Sequence, residues 1–437
     1  NQLFDANLLQ AGSVEVLKGP ATVVFGSNAQ HGIINVLTRS VSETPNTVSV
    51  EAGSRDYYRL SASGALDSVA LAAQSSRYGG YQDASGYEQQ KATLRIDHEW
   101  QEWRLKGSLE GSHLDQETAG YIRGFEAYKD DDAREENGNP EAYRNAWSGR
   151  GYLGFSRDWG AHAEIAIRPY WRSNSMTFLQ HYLPWQAIES NRHQSLGLQA
   201  IANGLTGKLT WLAGIDVDHT QGSLLETQAE FFSPNQPDGV HYDYEVDADT
   251  LAGFTHLTWQ LSDQWSLDGG IRLEETRYDY SNLTDSGSAC APTASACRFF
   301  RPESRKDHFT DWTGNLAISY RTDHTTVFGR VARGFRAPQT TELYRLQSGQ
   351  QVADIDSETM NSAEIGLRGS LQGFSYDLAA YWMSKEDVIF QDRDRYNVSG
   401  AETTHRGIEA SLSWRLSDVW SIKGNGSYAR HRYDSDI

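Results

Sequence analysis

The feature that most constrains the fold of this chain is an alternation of apolar and polar side chains with a period of two. Within the run 103–111, apolar Trp103, Leu105 and Leu109 alternate with polar Arg104, Lys106 and Glu110. A period of two separates the two faces of a β-strand. After Thr47 about seventeen such runs follow, many of them longer than the roughly five to six residues common in globular sheets. The pattern predicts an all-β protein whose strands have one apolar and one polar face.

The connections between these runs alternate between short and long. Short turns are predicted at 66–68, 261–264, 321–324, 371–373 and 416–418. Long polar segments are predicted at 112–147, 173–193, 222–246, 281–307, 334–358 and 391–403. Tight turns at one end and long loops at the other are typical of outer-membrane barrels. Tryptophans flank two of the short turns and suit a membrane interface, although ordinary hairpin packing explains them too: Trp259, Trp265, Trp414 and Trp420.

Charge and hydropathy exclude several classes of function. The formal net charge is −19 and the isoelectric point is near 5.1, so the chain would repel the phosphates of a nucleic acid. Mean hydropathy is −0.61, and no run approaches the roughly 18 consecutive apolar residues that a spanning helix needs. No nucleophile–base pair or carboxylate dyad stands out, so we predict no catalytic residues, no enzyme activity, no cofactor and no metal site.

The segment 14–39 resembles the end of the plug domain of TonB-dependent outer-membrane receptors. It reads as a strand, a turn at Gly19-Pro20, a short helical piece and a second apolar strand. The motif residues that carry the resemblance are Gly19, Pro20, Gly26, Ser27, Gly32 and Asn35. The Gly26-Ser27 and Gly32 spacing lacks the Gly-Lys-Ser/Thr ending of a phosphate loop. The resemblance implies that residues 1–43 end a plug domain.

Two later segments, 330–367 and 387–409, resemble the late-barrel signatures of the same family, in the same order. The resemblance implies an antiparallel transmembrane β-barrel of the 22-stranded type over residues 44–437. Against roughly 22 strands, about five are absent. We therefore expect an incomplete barrel that does not close, with unpaired edge strands near Thr47 and Ile422 and a tendency to aggregate.

The same resemblance implies a function in the outer membrane of a Gram-negative bacterium. Such receptors import an iron complex, here expected to be a ferric siderophore, by a plug rearrangement coupled to the TonB–ExbB–ExbD complex, in contact with lipopolysaccharide. Haem, cobalamin, copper and a glycan remain alternatives, as does a soluble carbohydrate-active β-protein. Haem is disfavoured because no histidine lies between His324 and His405, and the Asn-Pro-Asn-Leu box of haem receptors is replaced by 353–356.

Candidate ligand-binding residues lie in the long polar segments. Imidazole, phenol and carboxylate groups come close together in two of these segments, whose candidates are His181, Tyr182, His241, Tyr242 and Tyr244. A further candidate, Arg336, lies in a third segment. The alternative is that these are solvated loops, and that the motif around Arg336 is a strand-to-loop bend fixed by Pro338. Cys290 and Cys297 match no zinc-site pattern, and we predict a disulfide between them in an exported loop.

Overall fold

The computed structural model describes residues 7–19, 22–27, 29–179, 186–294, 297–347 and 349–434. Almost all regular structure in these ranges is antiparallel strand, with a few single helical turns. The helical pieces are α1 (Thr22–Phe25), α2 (Asp131–Glu135) and α3 (Thr340–Tyr344), with 3₁₀ turns at Leu8–Gln10 and Ala127–Lys129. Within the described ranges, no helix is long and apolar enough to cross a membrane.

The first element is a small hairpin that stands apart from the main sheet. Strand β1 (Ala11–Lys18) pairs antiparallel with β2 (Gly32–Thr38), and α1 lies between them. Both strands and the helical piece were predicted. Strand β1 is twice as long as the predicted 14–17, and β2 begins one residue before the predicted 33–38. Gly19 and Gly26 have φ values of 75° and 80°, which an L side chain rarely adopts, so the glycines permit the turns on both sides of α1.

The main sheet contains seventeen strands. Each strand pairs antiparallel with the next one along the chain, apart from the short hairpin of β14 and β15 inside one loop. The strands of the first half are β3 (Thr47–Gly53), β4 (Tyr57–Leu66), β5 (Val69–Tyr78), β6 (Tyr87–Trp100), β7 (Trp103–Glu117), β8 (Tyr143–Asp158), β9 (Ala163–Leu179), β10 (Ile188–Thr206) and β11 (Leu209–Gln228). Those of the second half are β12 (Gly239–Gln260), β13 (Trp265–Asn282), β16 (Arg305–Arg321), β17 (Thr325–Arg336), β18 (Glu358–Leu371), β19 (Phe374–Gln391), β20 (Asn397–Arg415) and β21 (Ser421–Tyr433). The separate loop hairpin consists of β14 (Gly287–Ser288) and β15 (Phe300–Arg301).

The strand order closes on itself, with β21 next to β3. The strand order therefore differs from the prediction of a sheet that stays open. The other junctions are ladders of many paired residues, interrupted only by bulges in β11–β12 and β19–β20. Every residue of β3 and every residue of β21 is exposed. The expected exposure of the two end strands is thus present, although the sheet closes.

The alternation of connections is confirmed. All five predicted short turns lie at one end of the barrel, and the connections at the other end are longer, apart from the three-residue β3–β4 connection. Three predicted long segments are mostly strand instead, since β9 and β10 occupy most of 173–193, β11 and β12 occupy most of 222–246, and β19 and β20 occupy most of 391–403. Polar side chains lie on both faces of the strands there, so the sequence shows no alternation with a period of two. The strands form nevertheless, because the hydrogen bonds between them join backbone groups and need no apolar side chain. We call the two ends the long-loop end and the short-turn end.

The two faces of the barrel wall have opposite chemistry, as β11 illustrates. Ile215 and Val217 point outward and remain 55% and 44% exposed. Asp216 and Asp218, between them, face the lumen and form ion pairs there. A soluble sheet would bury the apolar face, whereas here the apolar band is on the outside. This arrangement suits a wall with lipid outside and water inside.

The β1–α1–β2 hairpin lies inside the barrel. Its helical piece packs against β12, β13, β16 and β17, and Val23 is buried there. A Cβ at Gly270 would lie 2.9 Å from Val23 Cγ1, so the glycine lets the hairpin approach the wall. The Gln30 side-chain amide donates to the carbonyl oxygen of Glu358 at 3.1 Å, and Asn7 donates to Thr93 at 3.0 Å. The hairpin is therefore anchored on several sides of the lumen.

Candidate functional site

Two of the long loops fold together over the long-loop end. One follows β13 and contains the β14–β15 hairpin and a disulfide between Cys290 and Cys297. The other follows β17 and contains α3. The two are joined by backbone hydrogen bonding, because the Phe300 N–H donates to the Leu346 carbonyl at 2.9 Å. We call these loops, residues 283–304 and 337–357, the lid.

The lid has its own apolar core, in which an aromatic ring of α3 packs against rings of β12 and β13. The rings of Tyr280 and Tyr344 stack at 4.1 Å, and Tyr244 meets both at an angle. The Tyr344 hydroxyl donates to Asp307 at 2.8 Å. Burial and then this hydrogen bond raise the pKa of Tyr344 above its ordinary value, so the phenol stays protonated. The cluster is completed by Leu224, Tyr242, Val246, Cys290, Cys297, Phe299, Leu343, Leu346, Ala353 and Ile355.

An arginine of the lid holds it to the barrel wall. The Arg345 guanidinium lies 2.8 Å from the Glu189 carboxylate of β10, and it also pairs with Glu226 of β11. Both carboxylates are buried. Burial alone would lower the pKa of Arg345, but the charges of Glu226 and Glu189 outweigh it and raise the pKa. The lid is thus attached by a charged cluster that has been largely removed from water.

The same carboxylate of β11 also binds a histidine. His241 Nδ1 lies 3.1 Å from Glu226, its Nε2 lies 2.8 Å from the Pro237 carbonyl oxygen, and its ring stacks on Phe299 at 3.7 Å. The register between β11 and β12 skips His241, which makes it the extra residue of a β-bulge. The bulge turns the imidazole into the lid core instead of leaving it on the surface.

A second polar cluster fixes the start of the lid. Arg336 donates to Glu342 at 2.9 and 3.1 Å and to Glu358 at 3.0 Å. The side-chain amide of Asn397, in β20, donates to the Glu342 carbonyl at 2.8 Å, and Gln350 pairs with the Asn397 backbone. The bend after β17 is therefore fixed by charge pairing on the inner side of the wall.

The candidate binding residues have a different environment from the one predicted. His241, Tyr242 and Tyr244 are 0%, 3% and 4% exposed, and each helps to hold the lid instead of lining an open surface. Arg336 is engaged by two carboxylates. His181 and Tyr182 lie outside the described residues. The structure thus brings four of the six together at the long-loop end, but as structural supports of the lid.

Below the lid, the lumen contains a cavity of about 980 Å³ between the hairpin and the wall. Ion pairs cross its surface: Arg272 with Asp216 at 2.6 Å, Arg172 with Asp218 at 2.7 Å, and Arg150 with Glu110 at 2.6 Å. Sequence reasoning missed these residues. They share one feature, a charged side chain at successive positions that face the lumen. This feature can be recognised only once the pairing of the strands is known.

The plug-motif residues lie on the hairpin side of this cavity. Gly26 and Ser27 line it, and a Cβ at Gly26 would lie 3.4 Å from the Arg272 guanidinium. Asn35, on β2, donates to Glu15 of β1 at 3.2 Å. Gly32 has a φ of 147°, and Gly19 begins the turn. Pro20 lies outside the described residues. Among the described residues, no group of three or more His, Cys, Asp and Glu side chains is arranged to hold a metal ion.

Comparison with known proteins identifies the family of this chain. The family described as "TonB dependent receptor-like, beta-barrel" matches residues 38–437. The chain belongs to this TonB-dependent receptor family. Its relatives include the pesticin receptor of Yersinia pestis, 24% identical over 98% of this chain and 64% of the receptor. Another is the rhizobactin receptor of Rhizobium meliloti (strain 1021), 22% identical over 95% of this chain and 65% of the receptor.

A solved structure supports the fold of this TonB-dependent receptor. The crystal structure of the ferric yersiniabactin uptake receptor FyuA from Yersinia pestis superimposes with a TM-score of 0.77. It is 20% identical, with 98% of this chain and 67% of that chain covered. The chain therefore spans about two thirds of the length of the receptors it matches, 64% in the case of the pesticin receptor.

Proposed function

We propose that this chain forms most of the barrel of an outer-membrane receptor that imports an iron complex, and that the complex is a ferric siderophore. Family membership supports a transport receptor. The relatives named above, a rhizobactin receptor and a ferric yersiniabactin uptake receptor, support an iron complex as cargo. Residues 1–43 then belong to the plug domain, and the long-loop end faces the exterior of a Gram-negative cell.

The observation that carries the proposal is a barrel with a structure at two levels, a folded lid at one end and a hairpin inside the lumen. The lid lies across the long-loop end, held by Arg345, and the β1–α1–β2 hairpin lies in the lumen below it, held by Val23 and Gln30. In this account, a solute crosses the barrel only when both are displaced. Energy from the TonB–ExbB–ExbD complex, transmitted through the plug, provides that displacement in this account.

The polar lumen also fits a large hydrophilic cargo. Cation and anion side chains are paired on the cavity wall, as in Arg272 with Glu274 and Arg172 with Asp218. Paired charges present hydrogen-bonding groups without a strong net field, so a charged chelate is neither trapped nor repelled. Iron in this account is cargo held by its own chelator, and no protein ligand to iron is required.

The test uses a strain lacking the complete gene, grown with iron limited and single iron sources supplied. We expect loss of growth on one ferric siderophore, restored by the complete gene. As a matched control, the same strain grown on ferrous salts should be unaffected. Normal growth of the deletion strain on every ferric siderophore, with a defect only on haem, cobalamin, copper or a glycan, would contradict the proposed cargo.

A further inference from the structure

A row of three potential copper ligands crosses the lumen wall near the seam. Met383 of β19 lies directly opposite His405 of β20, which in turn lies opposite His431 of β21. Ile408 lies three residues after His405 in β20, and its side chain is exposed on the outer apolar face. Since successive residues of a strand point to opposite faces, the three side chains of the row share the lumen face.

The two imidazoles are joined by a hydrogen bond between their Nδ1 atoms. Nδ1 of His405 and Nδ1 of His431 are 2.7 Å apart, and the ring centroids are 5.0 Å apart. The second nitrogen of His405, Nε2, lies 2.9 Å from the Thr403 hydroxyl. That partner can accept the Nε2 proton and so leave the Nδ1 lone pair free, which is the tautomer a metal-bound histidine needs.

The separation of the nitrogens distinguishes between metal geometries. With metal–nitrogen bonds of about 2.0 Å, two neighbouring nitrogens of a square-planar ion lie roughly 2.8 Å apart, and those of a tetrahedral ion roughly 3.3 Å apart. The observed 2.7 Å is the length of the hydrogen bond between the rings, and an ion that replaced its proton at this separation would meet nitrogens spaced as in a square-planar site. Square-planar or tetragonal nitrogen sites favour copper(II), the divalent ion that such ligands bind most tightly in the first transition row.

We propose that His405 and His431 form a copper(II) site on the lumen wall, with the Met383 thioether as a long axial ligand. A thioether in that position is a known feature of copper sites, and it also stabilises copper(I). Water fills the remaining positions. The site is separate from the lid and from any iron cargo, and it does not depend on the proposed function.

The charges around the row allow a cation to bind. His31 of the hairpin, Lys385 and Asp434 are the further charged or titratable groups that act on His405. Lys385 is the one permanent cation among them, and it is neutralised by the Glu358 carboxylate at 3.1 Å. A divalent ion at the row therefore does not face an unpaired ammonium group.

The test is a titration of the complete receptor, purified in detergent, with copper(II) sulfate. We expect one tightly bound ion, with an electron paramagnetic resonance spectrum showing splitting from two imidazole nitrogens. His405→Gln and His431→Gln should each weaken binding by at least about 100-fold, beyond the range for loss of a supporting contact. Met383→Leu should keep the nitrogen splitting but weaken copper(I) binding by about tenfold.

His162→Gln, at the β8–β9 turn, is the matched control and should bind copper(II) like the wild type. Heat-modifiable mobility on a gel shows that each variant has folded. Equal copper affinity in the wild type and in both His→Gln variants would overturn the site, since it would indicate adventitious binding elsewhere. A wild-type spectrum without two nitrogen couplings would overturn it as well.

Discussion

Replacing Arg345 with methionine should release the lid from the barrel wall. The substitution keeps an unbranched side chain over the Tyr242 ring, which the guanidinium carbon approaches to 5.3 Å, and removes only the charge. Glu189 and Glu226 then lose the cation that pairs with both of them while remaining in a buried setting. Breaking a buried ion pair by removing one partner costs about 3 to 5 kcal/mol.

The lower end of that range applies here, because the Arg345 side chain is 26% exposed and water screens part of the interaction. About 3 kcal/mol corresponds to a rise of roughly 10²-fold in the open fraction of the lid. Hydrogen exchange followed by mass spectrometry on peptides covering 340–356 measures this directly. Those amides should exchange roughly 10²-fold faster, while amides of the β10–β11 ladder keep their rates.

Arg393→Met serves as the control, since Arg393 is exposed in the loop between β19 and β20. It removes the same charge without touching the lid and should leave exchange in 340–356 unchanged. If Arg345→Met and Arg393→Met give the same exchange rates in that segment, the ion cluster does not hold the lid and the reasoning fails.

Three further predictions concern the lid and the wall. Mass spectrometry of the unreduced protein should find the Cys290 and Cys297 peptides linked, and two free thiols would refute the bond. Ile408→Arg, on the outer face, should impair assembly by about 2 to 4 kcal/mol, whereas Ser411→Arg, on the lumen face opposite Asp377, should be tolerated; equal heat-modifiable fractions would contradict this assignment of faces. Asn397→Ala should loosen the lid by about 1 to 3 kcal/mol, seen as faster exchange in 340–356, because it leaves the Glu342 carbonyl without its donor; unchanged exchange would show that this bond is dispensable.

The barrel was predictable from sequence because its signal is local. Alternation within a strand and the length of each connection are both properties of short segments, and they gave the strands, the short turns and the hairpin at 11–38. Closure was not predictable in this way, since whether β21 meets β3 depends on the accumulated curvature of seventeen strands. The expectation of an open sheet counted strands without that geometry.

The lid was not predictable because its contacts are distant in sequence. His241 and Tyr242 were identified as a candidate ligand cluster from their chemistry, and the bulge that turns His241 inward arises from its pairing with β11. Arg345 had no local feature to single it out, and its partners Glu189 and Glu226 lie on other strands. Tyr242, Tyr244 and Val246 alternate with polar residues, and this pattern could have indicated a buried face of the strand. The structure buries all three side chains.

The central claim is that this receptor imports a ferric siderophore by energy-coupled displacement of the lid and the hairpin. The most direct measurement is uptake of iron-55 as a ferric siderophore by cells carrying the complete gene, with and without a functional TonB protein. The account predicts accumulation only in cells with both the gene and TonB, and surface binding without accumulation when TonB is absent. Equal accumulation with and without TonB, or with and without the gene, would contradict it.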